Sequence, residues 1–231
     1  MSYVNHIHES LMNLPNPLRL QKRPSPYIWV TWLAPYLSGE SQCKFALWNQ
    51  CNFRVPSNDE MPSDWLVKHQ SLLKETTSNL RYEEGLDVEE ENANSLYLKT
   101  SVGVTIAGKP DIITSDGQGM VIDVKTGKPR GKDRAQVNLY QALIPAQKKH
   151  GITEVPWGRI VYGNGEVKFI PPQEIDEAFK NSVKGLIHMV AQPVAPDSQP
   201  SLNECRYCKC NKICASAQTE PPEAQDTLGW V

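Results

Sequence analysis

The chain has 231 residues, of which 39% are hydrophobic, and its 26 acidic and 24 basic residues give a net charge of −2. This length allows one domain with a substantial hydrophobic core, and the balanced charge excludes a protein that is basic over its whole surface. No apolar run approaches the ~20 residues that cross a membrane, so we expect a soluble, cytoplasmic protein.

The first part of the chain is predicted to be helical after an extended lead-in. Residues 1–26 are polar and rich in proline, which predicts an extended segment. The run Pro62-Ser63-Asp64 is a typical start signal for a helix. In chain order we predict helices near 29–38, 41–51 and 62–82, followed by strands at 84–90, 95–114 (interrupted) and 119–125.

A hairpin carrying charged residues is predicted in the middle of the chain. Residues 103–114 and 119–125 are rich in Val and Ile and flank the turn-forming run Ser115-Asp116-Gly117-Gln118-Gly119. Because side chains alternate across a strand, Asp123 and Lys125 should share one face. Asp111 lies on the partner strand, where it is expected to face Asp123.

Two carboxylates on adjacent strands suit a hard cation such as Mg²⁺ or Mn²⁺. Lys125 could then orient an attacking water or stabilise developing negative charge. The alternative is an ordinary hairpin whose Asp and Lys side chains are solvated. Charges inserted among Val121, Ile122 and Val124 are costly unless something binds them, which favours a functional site.

The segment after this hairpin carries further polar signals. A helix is predicted over 132–148, and its Gln136 and Tyr140, spaced i, i+4, should lie on one helix face. A basic run leads into that helix and could contact phosphates, although such runs are often only solvated loops. The basic residues proposed to contact DNA are Lys128, Arg130, Lys132 and Arg134.

The last third combines a hairpin, a helix and a cysteine cluster. Asn164-Gly165 predicts a second hairpin turn, a helix is predicted near 172–191, and residues 215–231 are expected to be disordered. Helices on both sides of a group of strands indicate an α/β (α+β) fold with a mixed sheet.

Three cysteines, Cys205, Cys208 and Cys214, have the spacing C-x2-C-x5-C, with Cys210 between them. Four thiolates can hold either a [4Fe–4S] cluster or tetrahedral zinc. Disulfides are not expected, because the chain shows no secretory signal and is too large to need them.

Taken in order, Pro110-Asp111, Asp123-Val124-Lys125 and Gln136-x3-Tyr140 resemble the motifs of the PD-(D/E)XK nuclease superfamily, in its RecB-like branch. With the cysteines, the chain resembles the CRISPR-associated RecB-type exonuclease family over roughly residues 30–214. The resemblance implies a restriction-endonuclease-like central sheet in a single nuclease domain, 27–214. It also implies that Asp111, Asp123 and Lys125 are catalytic, and that Gln136 and Tyr140 contact the DNA end.

The same resemblance implies two ligand sets. His69 would be a third ligand of Mg²⁺ or Mn²⁺, with Glu84 as the second choice. Cys43 would join the C-terminal trio in a [4Fe–4S] cluster that links the two ends of the chain; Cys51 is the other candidate fourth ligand, and zinc the other candidate metal. The cluster set is therefore Cys43, Cys205, Cys208 and Cys214.

The sequence thus predicts a metal-dependent deoxyribonuclease, most simply an exonuclease. Single-stranded DNA is the expected substrate, because basic and aromatic residues can bind a nucleic-acid backbone without reading its bases. Its expected partners are DNA and the proteins of CRISPR adaptation, or of helicase-linked repair. Two alternatives remain: a non-catalytic subunit that holds DNA ends in a larger complex, and a zinc-stabilised interaction module.

Overall fold

The computed structural model of this protein describes residues 20–55 and 63–218, apart from the side chain of Ser63. In this part of the chain the α-helices are α1 (Val30–Leu37), α2 (Lys44–Asn52), α3 (Ser63–Tyr82), α4 (Gly131–Gln147), α5 (Glu177–Ala191) and α6 (Leu202–Tyr207). The strands are β1 (Gln21–Lys22), β2 (Tyr27–Trp29), β3 (Phe53–Arg54), β4 (Val88–Glu90), β5 (Leu96–Lys99), β6 (Thr105–Gly108), β7 (Ile112–Thr114), β8 (Met120–Lys125), β9 (Trp157–Tyr162) and β10 (Val167–Ile170).

The predicted mixed α/β architecture is confirmed. The larger sheet has the strand order β10-β9-β8-β7-β4, and a smaller sheet has the order β2-β6-β5. Strands β8 and β9 are parallel and are connected through α4, whereas the other pairs in the larger sheet are antiparallel. A parallel pair needs such a crossover connection, which places a helix against the face of the sheet.

The strand predicted over 103–114 is divided between the two sheets. Its first part, β6, pairs with β2 and β5, while its second part, β7, pairs with β8 and β4. The break falls at Lys109-Pro110-Asp111, and Pro110 has no N–H with which to continue a strand ladder. The chain therefore changes sheets immediately before Asp111.

The hairpin formed by β7 and β8 is present as predicted. Its register pairs Ile112 with Ile122, which places Asp111 opposite Asp123. In the connecting turn, Gly117 and Gly119 have φ angles of +60° and +80°, a region that glycine enters without a steric penalty. The turn thus fixes the register on which the site depends.

Helix α4 packs closely against both sheets. Its Val137, Tyr140 and Ile144 are buried in the main hydrophobic core. A Cβ added to Gly108 of β6 would lie 2.6 Å from Tyr140, and one added to Gly158 of β9 would lie 2.7 Å from Val137. Glycine at both positions therefore allows the helix to approach the strands closely enough to reach the hairpin.

The predictions for the chain ends are only partly within the described residues. Of the lead-in predicted over 1–26, residues 20–26 are described, and Gln21–Lys22 there form β1, paired with β3. Most of the tail predicted over 215–231 lies outside the described residues. In the described part of the chain, no helix has the length and apolar character needed to cross a membrane.

Candidate active site

Asp123 is the most deeply buried charged group on the hairpin, with 2% of the residue exposed. Its Oδ1 accepts a hydrogen bond from Gln136 Nε2 at 2.8 Å, and its Oδ2 lies 2.5 Å from Lys125 Nζ. That second oxygen accepts no hydrogen bond of ordinary geometry. Burial raises the pKa of Asp123 to about 6, the nearby Asp111 charge adds to this, and Lys125 opposes it. A buried carboxylate oxygen with unused acceptor capacity fits a cation ligand.

Asp111 lies on the neighbouring strand, where the chain enters β7. Its Oδ2 accepts the backbone N–H of Val124 at 2.8 Å, which fixes the carboxylate against β8. The same oxygen lies 3.6 Å from His69 Nε2 of α3, and both side chains are 12% exposed. The interaction with the Asp111 carboxylate raises the pKa of His69. The structure thus brings together the residues predicted from separate parts of the sequence.

A third carboxylate, Glu91, lies with Asp111 and His69 and was not among the predicted ligands. One potential ligand atom from each of His69, Glu91 and Asp111 lies within 4.8 Å of the others, and this group, the one of its kind in the part of the chain that the structure describes, does not include Asp123. Two carboxylates and an imidazole are a donor set suited to Mg²⁺ or Mn²⁺. Glu91 also forms an ion pair with Lys109 at 2.9 Å.

The position of Glu91 follows from a strand pairing that the sequence does not reveal. Strand β4 pairs with β7 so that Glu90 lies opposite Ile112, and the next residue, Glu91, therefore lies opposite Asp111. In the sequence, Glu91 belongs to the acidic run Glu89-Glu90-Glu91, which is not part of any of the predicted site motifs. Glu84, the second choice for a third ligand, instead forms an ion pair with Arg159 at 2.7 Å.

Helix α4 holds the side chains of Asp123 and Lys125 on β8. Gln136 donates to Asp123 and accepts from Lys125 Nζ at 3.0 Å, so it joins the carboxylate to the ammonium. Tyr140, one turn later, contacts Gln136 Nε2 at 3.4 Å and donates to Lys109 O at 3.4 Å. Tyr140 is buried, so in this structure it supports its neighbours and does not face solvent as the predicted contact with DNA would require.

Residues 35–215 match the PD-(D/E)XK nuclease superfamily. The chain belongs to this superfamily. Among solved structures, one from Eubacterium rectale named a putative exonuclease is similar over 89% of this chain and 94% of its own, with 12% identity and a TM-score of 0.51. The solved protein SSO0001 is similar over 95% of this chain and 98% of its own, with 18% identity and a TM-score of 0.45. No curated protein sequence is significantly similar to the chain.

Two members of the basic run of this PD-(D/E)XK nuclease are engaged within the protein. Arg130 forms an ion pair with Glu40 at 2.7 Å, and Arg134 Nε donates to Glu174 at 2.8 Å. The backbone N–H of Lys132 also donates to Glu40, while Lys128 is exposed. DNA would therefore have to compete with carboxylates for both arginines.

The C-terminal cysteines of the nuclease lie against its N-terminal helices. The carboxylate of Glu204 accepts the backbone N–H groups of Gln42 at 3.1 Å and of Cys43 at 3.4 Å. This contact brings α6, which carries Cys205, against the start of α2, and both cysteines are buried. Tyr36 donates from the other side to the carbonyl oxygen of Cys43 at 3.2 Å.

The remaining cysteines differ in their surroundings. Cys210 is buried, donates its N–H to Cys208 Sγ at 3.3 Å, and contacts the carbonyl oxygen of Ala46 through its thiol. Hydrogen bonding from Cys210 lowers the pKa of Cys208 to about 6. Cys51 lies in the main hydrophobic core, where burial raises its pKa to about 12. Burial among apolar side chains makes Cys51 the poorer ligand candidate, because it is the thiolate that binds metals.

Proposed function

We propose that this PD-(D/E)XK nuclease is a metal-dependent deoxyribonuclease that hydrolyses phosphodiester bonds from the ends of single-stranded DNA. The observation that carries the proposal is the placement of Asp111 and Asp123 opposite each other on adjacent strands, with His69 beside Asp111 and the ammonium group of Lys125 beside Asp123. Charges gathered in a buried position are costly without a ligand or a catalytic use.

The residues that would hold Mg²⁺ or Mn²⁺ are Asp111, Asp123 and His69, with Glu91 added by the structure. The donor set and the unused acceptor capacity of Asp123 fit such a cation. When bound, the cation would supply Lewis acidity toward a phosphate oxygen and lower the pKa of a bound water.

Lys125 is the group best placed to act on the reacting water and phosphate. Its ammonium is held between Asp123 and Gln136, so its position is fixed before substrate arrives. An ammonium held in this way can donate a hydrogen bond to the attacking water or to a phosphate oxygen on which negative charge increases. Gln136 acts as a positioning residue, since it fixes both Asp123 and Lys125.

The preference for single strands and for ends has separate support. A site that contacts phosphates through Lys128 and Lys132, without groups aimed at base edges, does not need a duplex groove. The Eubacterium rectale protein of similar fold is named a putative exonuclease. By the resemblance of its motifs and cysteines, the proposed setting is DNA processing such as CRISPR adaptation or repair.

We also propose that Cys43, Cys205, Cys208 and Cys214 hold a [4Fe–4S] cluster that joins the two ends of the chain. The contact of Glu204 with Gln42 and Cys43 supports this set, because it brings the N-terminal cysteine to the C-terminal group. Zinc bound with Cys210 is the alternative; iron and sulfide analysis of anaerobically purified protein, with absorbance near 400 nm, distinguishes the two metals.

The nuclease proposal is tested with single strands labelled at either end and incubated with Mn²⁺. Wild-type protein should shorten the strands progressively, and the labelled end that disappears first gives the polarity. Lys125→Met removes the ammonium but keeps the aliphatic length of the side chain, and should abolish cleavage. DNA that stays intact with wild-type protein, while still bound, would instead identify a subunit that holds DNA ends.

A further inference from the structure

The smaller sheet carries a row of aromatic side chains, which we call the aromatic face: Tyr27, Trp29 and Tyr97. Trp29 and Tyr97 are both register partners of Ala107, so they flank it on the two neighbouring strands. The ring of Tyr27 lies 5.7 Å from that of Trp29 and 6.4 Å from that of Tyr97. Trp29 is 39% exposed and Tyr97 is 62% exposed, so large ring surfaces reach solvent.

The aromatic face lies on the side of the sheet away from α4. A Cβ on Gly108 would point into Tyr140 of α4 and Val30 of α1. Because side chains alternate along a strand, the neighbouring Ala107 and its two partners point the opposite way. The rings of the aromatic face are therefore not part of the hydrophobic core beneath α4.

Basic groups border the aromatic face. The guanidinium of Arg23 lies 5.8 Å from the ring centres of both Tyr27 and Trp32, within the range of a cation–π contact. A cavity of about 430 Å³ opens beside them, with Trp29, Gln50 and Lys209 among its lining residues. Residues 20–55 carry four basic residues and one acidic residue, in a chain whose net charge is −2.

The aromatic face lies close to the proposed metal site along the chain. Strand β6 ends at Gly108, directly after Ala107, and the next residue, Lys109, pairs through its ammonium with Glu91 of the proposed ligand group at 2.9 Å. Only three residues separate Ala107 from Asp111, which limits the distance between their Cα atoms to about 14 Å. A single strand of DNA whose bases lie on these rings would therefore need only a few further nucleotides to reach the carboxylates.

We propose that the aromatic face binds the unpaired bases of the single strand that leads into the active site; this rests on the nuclease function proposed above. Bases stack on rings whatever their identity, and a nearby cation neutralises the phosphates, which is the usual combination at sites for single-stranded nucleic acid. Duplex DNA cannot use these rings, because its bases are already stacked. The basic border and the nearness of the proposed phosphodiesterase site favour nucleic acid over a protein partner.

The binding test compares exposed aromatic residues on and off the face, in the presence of EDTA so that no cleavage occurs. The probe is a fluorescent oligothymidylate of about 20 nucleotides, longer than typical single-strand sites. Trp29→Ala and Tyr97→Ala should each weaken binding about tenfold, as measured by anisotropy. The matched controls Trp157→Ala, 40% exposed on the larger sheet, and Tyr82→Ala, 86% exposed at the end of α3, should change it less than twofold.

Equal binding by the face variants and the controls would overturn the proposal, as would an equal loss of binding to a blunt duplex. Thermal unfolding checks that each variant is folded. If Trp29→Ala does not fold, Tyr97→Ala and the conservative variant Trp29→Phe are used for the comparison in its place. Cleavage of a substrate of about three nucleotides, which spans only the metal site, separates the two proposals. Wild-type protein should cleave it with Mn²⁺; failure to do so would contradict the nuclease function, and the binding comparison with EDTA would still test the aromatic face.

Discussion

The hairpin site and the cysteine segment are built in different ways. The carboxylates of Asp111 and Asp123 are carried by paired strands and are held by Val124, Gln136 and Lys125. Cys205 lies within a six-residue helix, Cys208 ends that helix and Cys214 follows a short 3₁₀ turn, and Cys208 and Cys214 are only half-buried. A site held by strand register is formed before its metal arrives, whereas a site on short loops depends on its metal for order. Loss of metal from the hairpin site should therefore abolish activity. Loss of metal from the cysteine segment should instead lower the stability of the protein.

The largest effect should come from Asp123→Asn. The amide has almost the same shape, so the strand should stay folded, but the buried negative charge that would hold the cation is lost. We expect Mn²⁺-dependent cleavage to fall about 10³-fold or more, with little change in the thermal unfolding midpoint. The matched control is Asp116→Asn in the turn of the same hairpin, where the carboxylate only accepts the N–H of Asp87. Comparable loss in both variants would mean that the hairpin fold, and not this carboxylate, had been disturbed.

Removing a proposed cluster ligand should have the next largest effect, in the cysteine segment. Cys43→Ser should lose most of its iron and make residues after α5 sensitive to protease, because the chain ends are no longer joined. Cys51→Ala should keep its iron and lose only about 1–2 kcal/mol of stability through the deleted core thiol. Iron analysis and limited proteolysis of the two variants measure this. Iron retained in Cys43→Ser but lost in Cys51→Ala would reassign the fourth ligand.

A variant of Gln136 tests how strongly the hairpin site depends on the hydrogen bonds that this residue makes. Gln136→Leu fills the same space but leaves Asp123 Oδ1 and Lys125 without their shared partner. We expect cleavage to fall about 10- to 100-fold, chiefly in kcat. Tyr140→Phe should cost less, because the hydrogen bonds of its hydroxyl are 3.4 Å long. A larger loss from Tyr140→Phe would point to a direct role of the hydroxyl at the DNA end.

The smallest effect should come from Glu91, the ligand candidate that the sequence did not suggest. Glu91→Gln keeps the shape but removes one negative charge near His69 and Asp111. We expect the affinity for Mn²⁺ to fall about tenfold, measured by calorimetry. Glu84→Gln, whose carboxylate pairs with Arg159, serves as the control. If the two variants bind Mn²⁺ equally well, Glu91 is only the ion-pair partner of Lys109.

The local parts of the site could be predicted from the sequence. A turn of five polar and glycine residues sets the hairpin, and the i, i+4 spacing of Gln136 and Tyr140 puts them on one face of α4. Each signal involves residues close in sequence, so propensity and periodicity reveal it. The mixed α/β fold follows from the same kind of pattern.

The parts that were missed depend on long-range pairing. Glu91 reaches Asp111 because β4 pairs with β7 across two intervening strands of another sheet, and no local pattern specifies such a partner. The sequence predicts an interrupted strand over 95–114, but it does not reveal that the parts before and after Lys109-Pro110 belong to different sheets. Likewise, the sequence suggested a basic loop free to contact phosphates, and it did not reveal that Arg130 pairs with Glu40, 90 residues away.

The most direct test of the account is a Mn²⁺ titration followed by electron paramagnetic resonance, in wild-type protein, Asp111→Asn and Asp123→Asn. If the carboxylates of both strands hold one cation, wild-type protein should bind one Mn²⁺ that each single substitution removes. Binding that persists unchanged in both variants would contradict the account, because the cation would then be held elsewhere.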